Sequence, residues 1–198
     1  MRPAMRTILC SLFAASLLTA CCLGPDEACS PDSDCCETEA TAAPAPLAAC
    51  ELGSIEQLTV YDDIYLAGQP SQADFALAKE AGIKTIITLR KDGELEWEQV
   101  QVVEQLGMTY VGLPWNGPDE LTDRVFDVAR ELFDTAERPM MMHCGSSNRV
   151  GALWLAWRAL DGGLSVEEAT AEAKTAGLRT DAYLQKALDY VAREQASG

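Results

Sequence analysis

Met140-Met141-Met142-His143-Cys144-Gly145-Ser146-Ser147-Asn148-Arg149 passes from an apolar run, through a turn of small residues, into a helical pattern that continues to Leu160. An apolar run of this length after Arg138-Pro139 reads as a buried strand. The strand–turn–helix order places the backbone N–H groups of Gly145, Ser146, Ser147 and Asn148 around a small concavity at the positive end of a helix, which favours an anion. The same field favours a thiolate at Cys144, the form in which cysteine is a nucleophile. Arg149 adds a planar fork suited to a tetrahedral oxyanion. Neighbours on a strand point to opposite faces, so His143 is not the base of a dyad with Cys144. It is read as ordering the loop from behind, or as a satisfied core histidine.

Working outward, Thr85-Ile86-Ile87-Thr88-Leu89, within a strand from Lys84 to Leu89, is a β-branched apolar run of the kind buried on both faces of a parallel sheet. Ile64-Tyr65-Leu66 is a short strand, and Ser71 caps a helix that runs to about Ala81 and is stopped by Gly82. A helix over 94–106 ends at Gly107, and Met108 to Leu113 forms another strand. Pro114 to Pro118 is a loop, followed by a helix from about Asp119 to Thr135. The helix from Arg149 to Leu160 is apolar nearly all round and therefore buried. Ser165-x-x-Glu168 is a capping box, and a last helix covers about Asp181 to Arg193. Strands alternating with helices predict an α/β fold with a mainly parallel central sheet flanked by helices. Arg90 follows a parallel strand, so it faces the same rim as Cys144; a surface salt bridge is the competing reading.

The 198 residues carry a formal net charge of -16 and a pI near 4.3. No Lys/Arg stripe is present to neutralise phosphates, which argues against nucleic-acid binding. An acidic surface repels anionic substrates over roughly 10 Å at moderate salt, so any anion site must be local. Arg2 and Arg6, the apolar run Ile8 to Leu18 and the small residues after it read as an export signal over 1–20. Leu18-Thr19-Ala20-Cys21 resembles a bacterial lipobox, which implies lipidation of Cys21 and a membrane tether on the extracytoplasmic face. Residues 21–52 are read as a Cys/Pro/acidic tether and 53–198 as one catalytic domain. Cys22, Cys29, Cys35, Cys36 and Cys50 suit a disulfide knot in an oxidising compartment, with metal binding the weaker alternative. No metal site or cofactor is expected.

The motif His143-Cys144-(four residues)-Arg149 stands with Leu66-Ala67-Gly68-Gln69-Pro70-Ser71 and the stretch Thr85 to Glu94. Together they resemble the phosphatase-like domain of beta-lactamase-hydrolase-like proteins, related to dual-specificity and tyrosine phosphatases, over roughly 55–180. The resemblance implies a tyrosine-phosphatase-like fold and a phosphoester substrate, small molecule or protein. It implies Cys144 as the attacking residue, Arg149 as the phosphoryl clamp and an upstream aspartate as the acid. The spacing departs from dual-specificity phosphatases, which place five residues between cysteine and arginine. A loop of this length ending in Arg is similar to the persulfide loop of rhodaneses, so sulfur transfer from a sulfur donor through a Cys144 persulfide is an alternative, and a non-catalytic anion-binding envelope module a third. Trp115-Asn116 stands where relatives place the acid, which leaves Asp119 as the choice and Asp123 as the alternative.

Overall fold

The computed structural model describes residues 47–197. Among these residues six strands form one sheet: β1 Ala48–Ala49, β2 Leu58–Tyr61, β3 Ile64–Ala67, β4 Thr85–Thr88, β5 Thr109–Gly112 and β6 Met140–His143. Six helices accompany it: α1 Gln72–Glu80, α2 Gln99–Gln105, α3 Asp123–Thr135, α4 Asn148–Leu160, α5 Val166–Ala176 and α6 Asp181–Ser197. The strand order is β1-β2-β3-β6-β4-β5, parallel across β3, β6, β4 and β5 and antiparallel across β1, β2 and β3. The mainly parallel α/β architecture is the one the alternation of strands and helices predicts.

β6 lies between β3 and β4 with all four residues buried, and all four of β4 are buried as well. Because side chains alternate, Met140, Met142 and Cys144 join one apolar layer with α3 to α6, while Met141 packs with Phe75, Ile83 and Ile86 on the other face. α4 is buried from Arg149 to Arg158. Gly151 is what lets it approach α5: a Cβ there would stand 2.8 Å from the Ala173 carbonyl and from Leu178. Arg158, 1% exposed, is neutralised by Glu172 at 2.8 Å and lies over the Tyr61 ring.

Several boundaries differ from those read in the sequence. α2 begins at Gln99 rather than 94, since residues 90–98 form a loop whose polar groups are held by side chains. α3 begins at Asp123 rather than Asp119, which instead lies in the turn 118–120. β1 pairs with β2 and Leu52 is buried, so the sheet extends into the segment read as tether. The signal segment, Cys21, Cys22, Cys29, Cys35 and Cys36 lie outside the described residues. Cys50 is disulfide-bonded, and Cys144 is the free cysteine among the described residues. No helix among them is long and apolar enough to cross a membrane.

Candidate active site

Cys144 follows the last residue of the central strand, at the carboxyl end of the parallel part of the sheet, where open α/β folds bind ligands. Its amide donates to the Ala67 carbonyl at 3.2 Å, and the Gly145 carbonyl accepts from Gln69 at 3.3 Å, so the loop is stitched to the end of β3. The Leu66-to-Ser71 motif is thus the loop's scaffold. Ser147, fully buried, caps α4 at φ 60 without a side-chain hydrogen bond to the helix. Among the described residues the amides of Gly145, Ser146, Asn148 and Arg149 donate to no backbone carbonyl. First-turn amides have no intrahelical acceptor, so these donors remain for an anion in front of Cys144.

Arg149 is oriented by the fold around it. Nη1 donates to the Leu89 carbonyl at 2.8 Å, the Trp115 carbonyl at 2.7 Å and Glu94 Oε1 at 3.0 Å, and Nη2 donates to Glu94 Oε2 at 2.8 Å. Those bonds occupy the Nη1 end of the guanidinium and leave the Nε–H and one Nη2–H, the edge that grips an oxyanion in parallel. Burial disfavours the charge, yet Glu94 and the Cys144 sulfur outweigh it and hold Arg149 above its ordinary value. The Arg149 pair, as the foremost cause, keeps the Glu94 carboxyl below the usual carboxylate range. Glu94 also meets Arg90 Nε at 3.0 Å, and Arg90 Nη2 donates to the Glu94 carbonyl. Arg90 Nη1 stands 3.0 Å from where a Cβ on Gly145 would be, so Arg90 lies beside the loop and is also ion-paired.

His143 is fully buried on the opposite face, with Nε2 2.5 Å from Gln99 Nε2 and its ring edge-on to Phe75. Burial, reinforced by the charges of Arg90 and Arg149, pushes it down to about 3, so it is neutral at physiological pH. Asn148 Nδ2 donates to Thr180 Oγ1 at 2.7 Å while its Oδ1 accepts from the Arg179 amide at 2.8 Å. Arg179 in turn donates to the Ser146 carbonyl at 3.2 Å and to Ser146 Oγ at 2.5 Å. The carboxylates divide clearly. Asp123 pairs with Arg193 of α6 at 2.5 Å and lines a cavity with Lys186, Asp189 and Arg193. Glu120 is engaged by Lys91 and the Asn116 amide. Asp119 is exposed and makes no hydrogen bond or ion pair among the described residues; it sits in the loop that Arg149 grips through Trp115.

Sequence reasoning did not assign Glu94, Gln99 or Arg179. Glu94 closed the quoted Thr85-to-Glu94 motif, which was its signal; Gln99 and Arg179 carried none. No group of residues suited to a metal ion occurs among the described residues.

With this geometry in place, known proteins supply the comparison. Residues 56–161 match the phosphatase-like domain of beta-lactamase hydrolase-like proteins. The Beta-lactamase hydrolase-like protein of Agrobacterium fabrum is 29% identical over 128 residues, 62% of this chain and 30% of that protein, so the chain spans under a third of that relative's length. TpbA of P. aeruginosa superposes with a TM-score of 0.60 at 25% identity, covering 77% of this chain and 92% of TpbA. A cysteine-to-serine TpbA variant has been solved with phosphotyrosine. A protein of Neisseria meningitidis described as a phosphatase gives 0.54 at 27% identity, covering 70% of this chain and 96% of that one. These likenesses support a phosphatase-type function.

Proposed function

Since the chain belongs to the family of the phosphatase-like domain of beta-lactamase hydrolase-like proteins, we propose that it hydrolyses a phosphoester through a phosphocysteine intermediate. The observation that carries this reading is the free guanidinium edge of Arg149 beside Cys144, facing a loop of undonated amides at the start of α4. Cys144 Sγ attacks phosphorus and forms an S–P bond as the ester P–O bond breaks. Asp119, the uncommitted carboxylate of the 114–120 loop, gives its proton to the leaving oxygen. Water then attacks phosphorus and returns a proton to Asp119, the S–P bond breaks, and orthophosphate leaves. Arg149 and the amides hold the equatorial oxygens throughout.

A chromogenic aryl phosphate tests the reading: turnover that vanishes in Cys144→Ser supports it, and turnover unaffected by that change refutes it. Asp119→Asn should cost more with an alkyl phosphate than with a nitrophenyl ester, whose leaving group needs no proton; equal losses would remove Asp119 from the role. The four-residue spacing from Cys144 to Arg149 favours one second reading, persulfide transfer. Thiosulfate treatment followed by mass spectrometry would then add one sulfur to Cys144. The export signal and a lipid on Cys21 complete the proposal as an enzyme tethered to a membrane on its extracytoplasmic face, tested by fractionation of wild type against Cys21→Ala.

A further inference from the structure

Arg179 is a charged group that the hydrolytic scheme does not use. It lies in the turn between α5 and α6, and Gly177 brings that turn against the loop: a Cβ on Gly177 would stand 3.0 Å from the Ser147 side chain and 3.3 Å from the Ser146 carbonyl. The guanidinium donates to the carbonyls of Ser146 and Gly177 and to Ser146 Oγ, all of them neutral acceptors. Of its five N–H groups, two are left without an acceptor. Among the described residues no carboxylate lies within ion-pair distance of it, although the chain carries 31 Asp and Glu against 15 Lys and Arg.

Arg179 also lines a cavity of about 320 Å³ with Lys174, Leu178, Thr180, Asp181 and Leu184. Lys174, at the end of α5, is exposed and likewise has no ion-pair partner among the described residues. Asp181 is the one carboxylate facing this space, and it occupies the first turn of α6, where a negative charge complements the helix. Two cations against one acid make the cavity locally positive in an acidic protein, and the Arg179 bonds to Ser146 connect it to the Cys144 loop.

Resting on the reading of that loop as a phosphoester site, we propose that the Lys174–Arg179 cavity is a second anion subsite. It holds a second phosphoryl group, so that the substrate is a small molecule bearing two. Arg179 offers its free N–H groups to that group directly, Lys174 supplies charge from the far wall, and Leu178 and Leu184 form the apolar floor. A substrate with a single phosphoryl group leaves the cavity unused.

The test is competitive inhibition of nitrophenyl phosphate turnover by orthophosphate, pyrophosphate and tripolyphosphate. The longer anions should inhibit at concentrations at least about tenfold lower than orthophosphate, the gain expected of one charge-assisted hydrogen bond. That ratio should fall towards one in Arg179→Ala and in Lys174→Ala, stay partly intact in Arg179→Lys, and be unchanged in Lys186→Ala, which removes the same charge elsewhere. A ratio near one in the wild type, or one insensitive to both Arg179→Ala and Lys174→Ala, overturns the proposal. Lys174 is exposed, so its variant carries the test even where Arg179→Ala disturbs the loop. Absence of turnover would instead count against the phosphoester reading; the same ratio is then read by calorimetric titration of the protein with the three anions, and decides the subsite by itself.

Discussion

Replacing Glu94 by Ala probes how the anion clamp is held. Glu94 gives Arg149 two charge-assisted bonds, at 3.0 and 2.8 Å, and meets Arg90 at 3.0 Å. The Arg149 side chain is 9% exposed and Glu94 is 23% exposed. Removing one partner of a fully buried pair costs about 3–5 kcal/mol; water can partly refill the Glu94 position, which brings the expected loss to about 2–3 kcal/mol. For a domain of about 150 residues this lowers the unfolding midpoint by roughly 4–12 °C. The loss has a defined pH window. Glu94's carboxyl is held below its ordinary value, so its contribution is complete above the unfolded value, about 4.3, and disappears as pH falls through the folded one. Thermal unfolding of wild type and Glu94→Ala should therefore differ constantly from pH 6 to 8, with the difference starting to shrink only as pH falls below about 4.3. With the guanidinium no longer aligned, orthophosphate should also bind at least about tenfold more weakly. Tighter phosphate binding in the variant would mean that Glu94 competes with the anion, and would refute the assignment of the Arg149 edge. Equal midpoints at neutral pH would refute the energetic reasoning.

Three further perturbations follow from the same contacts. Asp74, 2% exposed, accepts from the amides and hydroxyls of both Ser54 and Ser71; burial alone would raise its carboxyl, but these four bonds hold it below the ordinary value. Asp74→Ala should cost about 2–3 kcal/mol in urea unfolding at pH 7, a difference that fades as acid protonates the wild-type carboxyl. Gly151→Ala should lose about 1–3 kcal/mol in urea unfolding to overlap with Ala173 and Leu178, despite better helix propensity. His143, pushed down to about 3, leaves the unfolded chain binding the extra proton below about pH 6.5. Wild-type stability should thus fall with decreasing pH between 6.5 and 5 by up to about 1.4 kcal/mol per unit more than in His143→Gln, as denaturation at several pH values would show.

The parts legible in the sequence are those where local chemistry and the fold agree. Thr85 to Thr88 and Met140 to His143 are apolar because both faces of a central parallel strand are covered, so their pattern announces their place. The loop from Cys144 to Arg149 announces itself because a nucleophile, small residues and a fork must be contiguous there. Glu94 and Arg179 reach the loop from far along the chain, and an acid or a base in an acidic surface sequence has no pattern of its own. The antiparallel strands β1 and β2 escaped because they are short: Ala48–Ala49 has no strand composition of its own and is made a strand by pairing, while Leu58–Tyr61 has the composition but little length to announce it. The helix read from about Asp119 begins instead at Asp123, because the Asn116 amide and Lys91 both engage Glu120 and close a separate turn ahead of Thr122.

How an acidic chain presents an anion site then has a physical answer in the placement of one carboxylate. Glu94 is shared between Arg149 and Arg90, so it fixes two cations with one negative charge and leaves a net positive charge behind the loop. Two neighbouring acids are neutralised by other partners, Glu120 by Lys91 and Asp123 by Arg193. The remaining surface charge is too far and too screened to oppose an anion held by amides at the start of α4. The charge of -16 therefore disfavours extended polyanions, which must lie along the surface. It is compatible with compact phosphoesters, which need only the loop and its arginines.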